Sequence, residues 1–312
     1  MNTTLILGAG ASMPYGFPSG NDLREYILKY FPSKLTDVTI LRKSAGDMIC
    51  KKFNDSGLTI DKFTQIHSQH STNAEDVVNF AKLSITDCLT QKEKESQFNE
   101  NCLLKGQDWY RAFIQNIFGK IRTYDEFINY CKNLTVVTFN YDRSFEYYLL
   151  KQMDAVFTEM SSREFQNKQL PIEVIHVYGS LGDFNQLEYR TIMVPSKGYS
   201  GFYNLIGDMN RTDQTEKIYT KILDSDQLFF LGFSYLKDNM EALGLNDKHK
   251  FHWELRDNPK GGKINIKEIR AKVFGTALGF SDEKIDILNS EYFFGNAILK
   301  PIDCKTMIDN YF

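Results

Sequence analysis

Four short apolar runs stop at turns of small or polar residues, and this repeated junction constrains the chain more than any other feature. Thr3 to Leu7 ends at Gly8, Leu134 to Phe139 at Asn140, Ile172 to Tyr178 at Gly179, and Gln227 to Phe233 at Ser234. Most of these runs lack strict alternation, which suits strands covered on both faces, as in a parallel sheet flanked by helices. Further runs fall at Tyr189 to Val194 and, more weakly, near Asn296 to Ile302. Helical patterns lie between them: "SGNDLREYILKYF" offers Ser19 as an N-cap, "DRSFEYYLLKQM" sets Phe145, Tyr148 and Leu149 on one stripe, and "TDQTEKIYTKIL" pairs Ile218 with Ile222. The expected fold is α/β, a Rossmann-like, mostly parallel sheet with helices on both faces.

Strands are scarce from residue 36 to 131, a span too long for an ordinary crossover. It reads as a helical insertion between the first and second strands, with 1–35 and 132–312 forming the main domain. Residues 244 to 312 either complete the sheet or form an interface.

Charge is nearly balanced, 37 basic residues against 40 acidic, so no global field draws the chain to nucleic acid or an anionic membrane. Five scattered cysteines without a C-x-x-C pair point to reduced thiols, not a disulfide framework or a Cys-based zinc site. No run approaches the roughly 18 apolar residues of a membrane span, and Thr3 to Leu7 is too short for a signal peptide. A soluble cytoplasmic protein without direct nucleic-acid or membrane contact is expected. The aromatic content of 14% is read as core and subunit-interface packing. His67 with His70, and His249 with His252, have a spacing that can share a helical face, but no carboxylate or thiol completes a metal site.

Each junction carries two readings. Gly8-Ala9-Gly10-Ala11-Ser12 lets backbone N–H groups approach a phosphate at a helix N-terminus, or is simply a tight turn; a dehydrogenase fingerprint would want glycine where Met13 stands. Thr138-Phe139-Asn140-Tyr141-Asp142 sets an amide and a carboxylate at a strand end, where they contact a ligand or cap the next helix. His176 takes a proton near neutral pH or is a satisfied core residue; in extended backbone it shares a face with Val174 and Tyr178. Gly232 and Ser234 close the fourth junction.

In order and wording these motifs resemble the sirtuin superfamily, and more closely its divergent bacterial branch of NAD-hydrolysing antiphage effectors. "LTIDKF", Leu58 to Phe63, is similar to a short signature in that branch's insertion. The resemblance implies NAD as substrate and no metal. Gly8, Ala9, Gly10, Ala11 and Ser12 would hold the pyrophosphate. Asn140 would position water or a ribose hydroxyl, and Asp142 would sit by the nicotinamide ribose or carboxamide. His176 would be the base or a ribose partner, and Gly232 and Ser234 would meet the adenosine side. Thr138, Tyr178, Gly179 and Ser180 belong to the same binding segments. The chain departs from deacylating sirtuins in two ways: Tyr178, not histidine, precedes Gly179, and the four-cysteine zinc module is missing between Gly179 and Gly232. The resemblance therefore implies an NAD+ glycohydrolase that depletes NAD in antiphage defence, controlled by a separate sensor or regulatory protein or by homo-oligomeric assembly. The alternatives are a catalytically silent NAD or ADP-ribose binding subunit and an NAD-dependent protein deacylase.

Overall fold

The computed structural model describes residues 1–37, 41–70, 73–96, 107–157, 170–182, 188–190, 211–245, 271–293 and 295–312. In chain order the first elements are β1 (Thr3–Leu7), α1 (Ala9–Ser12), α2 (Gly20–Tyr30), α3 (Lys43–Ser56), α4 (Ile60–His70), α5 (Ala74–Glu95), α6 (Trp109–Phe118) and α7 (Tyr124–Cys131). They are followed by β2 (Leu134–Thr138), α8 (Ser144–Val156), β3 (Glu173–His176), α9 (Arg211–Leu223), β4 (Gln227–Leu231) and α10 (Lys237–Ala242). The chain finishes with β5 (Lys272–Thr276), α11 (Asp282–Phe293), β6 (Ala297–Lys300) and α12 (Cys304–Tyr311).

The six strands pair in the order β3-β2-β1-β4-β5-β6, every pair parallel. This is the Rossmann-like α/β architecture expected, and its order reverses direction between β1 and β4. Alternate residues of each strand face opposite layers. Leu5, Leu7, Val136, Phe229, Leu231 and Phe274 share one core with the insertion, α8 and Met307 and Ile308 of α12. Ile6, Val137, Ile175, Leu228, Phe230 and Val273 share the other with Ile218 and Ile222 of α9, Met240 of α10, and Ile285 and Leu288 of α11. Burial on both faces is why the strands read as continuous apolar runs.

Residues 272–276 and 297–300 show that the C-terminal part completes the sheet. Tyr189 and Arg190, where a further strand was expected to start, form a turn, and 191–194 lie outside the described residues. His249 and His252 also lie outside them. Among the described residues no group of His, Cys, Asp and Glu could hold a metal, and no helix is long and apolar enough to cross a membrane.

Aromatic contacts pack the insertion within itself, Phe53 on Phe63 at 5.1 Å between ring centres, and against the segment before it, Phe80 on Phe31 at 5.5 Å. Ahead of the insertion, α2 starts where the sequence expects: the Ser19 hydroxyl accepts from the Asp22 N–H while the Asp22 carboxylate accepts from the Ser19 N–H. Leu23, Ile27 and Phe31 are buried and Tyr30 is left exposed. Fully buried Trp109 of α6 then donates its indole N–H to the Ala11 carbonyl at 2.7 Å. That bond ties the insertion to the turn after β1.

Candidate active site

The C-terminal ends of β1, β2 and β4 open on a cleft of about 2120 Å³ lined by Gly8, Ala9, Gly10, Asn140, Tyr178, Gly232 and Ser234. It lies where the strand order reverses, the position at which open parallel sheets take ligands in the gap between diverging loops. Its volume exceeds the range of about 300–1,000 Å³ typical of small-molecule pockets, so an extended molecule such as a dinucleotide has room.

The glycines of the first turn serve the protein before any ligand. Gly8 N–H donates to the Leu231 carbonyl and Gly10 N–H to the Gly232 carbonyl, both at 3.0 Å, and Ala11 N–H bonds Gly8 O at 2.9 Å. A Cβ on Gly8 would stand 2.4 Å from the Gly232 oxygen. The two strand-end turns are therefore packed backbone against backbone, and those N–H groups are already satisfied. Ala11 and Ser12 are buried beneath the cleft floor.

Asn140 is the best-determined polar group on the wall. Its Nδ2 donates to Gly8 O at 3.0 Å and to Ser12 Oγ at 2.9 Å. A carbonyl can only accept, so this fixes which end of the amide is nitrogen. Oδ1 is left without a partner among the described residues, and Asn140 lines the cleft. Thr138 supports the turn: its Oγ1 accepts from Asn140 N–H at 3.1 Å.

Asp142 does not line the cleft. Its Oδ1 accepts from the backbone N–H and the hydroxyl of Ser144, the first residue of α8, from one position ahead of the N-cap Arg143. Burial pushes its carboxyl up, against the Ser144 and Ser12 hydrogen bonds that pull it down. A chain of polar contacts continues beneath it, from Ser144 Oγ to Tyr110 Oη at 2.7 Å.

His176 and Tyr178 do not share a face as extended backbone would require. β3 ends at His176, Val177 and Tyr178 form a turn, and Gly179 adopts φ +90°. Parity is lost at that turn. Tyr178 faces the cleft, where its Oη donates to Asn239 Oδ1 at 2.9 Å. His176 points away, with Nδ1 2.8 Å from the Asn140 carbonyl and Nε2 2.6 Å from Glu146 Oε1. Gly179 and Ser180 lie just past the turn, also outside the cleft lining; Ser180 Oγ accepts from Gly182 N–H.

Both His176 nitrogens face acceptors, a geometry that the doubly protonated imidazolium satisfies. Burial pushes its pKa down, but the Glu146 carboxylate and the Asn140 carbonyl outweigh that, and the net direction is upward. A group raised in the folded state adds stability that is full below its unfolded value, about 6.5, and is lost as pH rises through the folded value. Replacing Glu146 with glutamine removes the charge partner. The His176 ring, followed by NMR at Cε1–H, is then expected to titrate at clearly lower pH; an unmoved titration would refute the pairing.

Gly232 sits at φ +59° with its N–H donated to Thr276 Oγ1 at 2.8 Å. Ser234 is exposed, 3.5 Å from the Asn239 amide. Helix α4 also lines the cleft, with Asp61, whose Oδ1 accepts from Tyr141 Oη, Lys62, whose Nζ is 2.7 Å from Asp238 Oδ2 of α10, and Thr64, Gln65 and Ser68. The motif "LTIDKF" flagged this stretch without a role for Asp61 or Lys62. Glu146 carried no signal, because its contact needs the β2–β3 register that sets Thr138 beside His176.

Residues 134–244 match the family model of the SIR2-like domain, whose members use NAD. No curated protein matches the chain. The matched span runs from β2 past α10 and includes Asn140, Tyr178 and Gly232, while the β1 turn and the insertion lie before it. Across residues 134–244, the half of the cleft that holds the Asn140 amide, the chain is thus similar to a SIR2-like, NAD-using domain.

Proposed function

We propose that the chain binds NAD+ in this cleft and hydrolyses it to nicotinamide and ADP-ribose. The observation that carries the reading is the Asn140 amide: its nitrogen is consumed by Gly8 O and Ser12 Oγ, its oxygen has no partner among the described residues, and the residue lines the cleft at the sheet's switch point. Nicotinamide leaves a cationic glycosyl bond as a neutral molecule, so the protein's tasks are to steady an oxocarbenium-like carbon and to present water. A fixed amide oxygen accepts the hydrogen bond of a water or ribose hydroxyl without reorganising. Phe139, Tyr178 and Phe233 line the same cleft. On this reading His176 is a positioning residue that holds the Asn140 carbonyl from behind, not a base.

Tyr178 and Asn239 border the same space and suit ribose hydroxyls, and the loops after β4 and β5 receive the adenosine end. The motif resemblance further supports an NAD-depleting effector of bacterial antiphage defence, held in check by a separate sensor protein or by assembly. A second reading, a silent NAD or ADP-ribose binding subunit, is favoured by one observation: the His176 imidazole is turned away from the cleft with both nitrogens engaged.

The test is NAD+ consumption by the purified chain, with nicotinamide and ADP-ribose quantified and no acylated peptide added. Turnover by the wild type is expected to fall on the order of 100-fold or more in Asn140→Ala, the scale seen when one preorganised polar group is lost. Saturable NAD+ binding without turnover would move the protein to the silent-subunit reading. Nicotinamide release strictly dependent on an acylated peptide would instead make it a deacylase.

A further inference from the structure

The proposed NAD site leaves open what distinguishes oxidised from reduced nicotinamide. The wall around Asn140 is aromatic: Phe139, Tyr141, Tyr178 and Phe233 all line the cleft. Their rings form a continuous set, Phe139 at 5.5 Å from Tyr178 and 5.1 Å from Phe233, and Tyr141 at 6.4 Å from Tyr178. The helical insertion adds one carboxylate to this wall. Asp61 has Oδ1 held by the Tyr141 hydroxyl, and no described residue bonds Oδ2.

Charge in the cleft is one-sided. Among the described lining residues Asp61, Asp238, Glu241 and Asp303 are acidic and Lys62 alone is basic. Lys62 is already paired with Asp238 at 2.7 Å, so its charge is directed away from Asp61. Burial pushes the Asp61 carboxyl up and the Tyr141 hydrogen bond only partly offsets this. A positive charge brought alongside would relieve that desolvation. Electron-rich ring faces and a desolvated carboxylate together suit a flat cationic ring.

Resting on the NAD reading, we propose that Asp61 and Tyr141 are specificity-determining residues that recognise the positively charged pyridinium of the oxidised dinucleotide and discriminate against the neutral dihydropyridine of NADH. The insertion then completes the site on the nicotinamide side, while the loops that meet ADP-ribose belong to the sheet. The adenine, both riboses and the pyrophosphate are common to the two redox forms. Discrimination must therefore come from the ring and the residues around it.

The experiment is calorimetric titration of the full chain, wild type beside Asp61→Asn and Tyr141→Phe, with three probes: carbocyclic NAD+, which keeps the pyridinium but has no cleavable glycosidic bond, NADH, and ADP-ribose. Wild type is expected to bind carbocyclic NAD+ about tenfold more tightly than NADH, the scale of one desolvated cation–π or ion-pair contact. Asp61→Asn is expected to narrow that ratio to about threefold or less with ADP-ribose affinity unchanged, and Tyr141→Phe to lie between the two. A ratio preserved in Asp61→Asn overturns the assignment. So does an equal loss for all three probes, which would mean a structural role for Asp61. A wild-type chain that binds none of the probes overturns the NAD reading itself.

Discussion

Gly232→Ala is expected to unfold the turn between β4 and α10 and abolish the NAD+ binding proposed for the cleft. A Cβ at this position would lie 2.1 Å from the Ala11 nitrogen and 2.3 Å from the Gly10 carbonyl carbon. Both are backbone atoms in the turn after β1, so no rotamer change relieves the contact. The residue also adopts φ +59°, a left-handed conformation that disfavours any Cβ. Backbone strain and overpacking each cost about 1–3 kcal/mol. The Gly10 N–H to Gly232 O bond is lost as the two turns separate, and the summed penalty should reach about 3–5 kcal/mol. Gly16→Ala is the control: it has φ +89° but nothing within 4 Å of its Cβ. It is expected to lose only about 1–2 kcal/mol. Urea unfolding of the two variants checks the contrast, and equal losses would show that conformation, not the approach of the two turns, sets the cost.

The second large effect is expected away from the cleft. Arg143, 2% exposed, meets Glu93 of α5, 0% exposed, through Nε at 3.0 Å and Nη2 at 2.8 Å, and its Nη1 donates to Gly182 O at 3.2 Å. This fork joins the insertion to the turn between β2 and α8. Burial pushes the Glu93 carboxyl up, and the Arg143 hydrogen bonds and charge pull against it.

Arg143→Met strands a buried carboxylate and is expected to cost about 3–5 kcal/mol near neutral pH. The sign with pH follows from the missing partner. With Glu93 raised further, the variant is most stable below the unfolded value of about 4.3, where the carboxyl is protonated in both states. It loses stability as pH rises toward the raised folded value. The double variant Arg143→Met with Glu93→Leu removes the stranded charge and is expected to recover most of the loss. Urea midpoints of the three proteins at acid and neutral pH test this, and a single variant as stable at neutral as at acid pH would refute it.

Much of the architecture follows from local chemistry. Continuous apolar runs at β1, β2, β3 and β4, the Ser19 cap and the stripes through Leu23 and Ile27 or Ile218 and Ile222 are short-range patterns, and each becomes the element they imply. β5 is not legible in the sequence because Gly275 interrupts a short run. The reason for that glycine is tertiary, since a Cβ there would meet the Tyr235 hydroxyl at 2.2 Å. Likewise the residues of the first turn were legible as small, but their use against Gly232 depends on β1 and β4 pairing across the chain.

The sequence by itself determined the α/β class, the helical insertion and the strand ends that carry Asn140, Tyr178 and Gly232, because periodicity and turn chemistry act over a few residues. Only the tertiary structure decided which side chains meet the cleft. The turn at Val177 and Tyr178 breaks strand parity and sends His176 to Glu146 and Tyr178 to the cleft. Asp61 reaches the same cleft through the packing of α4, from a segment far away in the chain. Such meetings are set by long-range packing of whole elements, to which local spacing is blind.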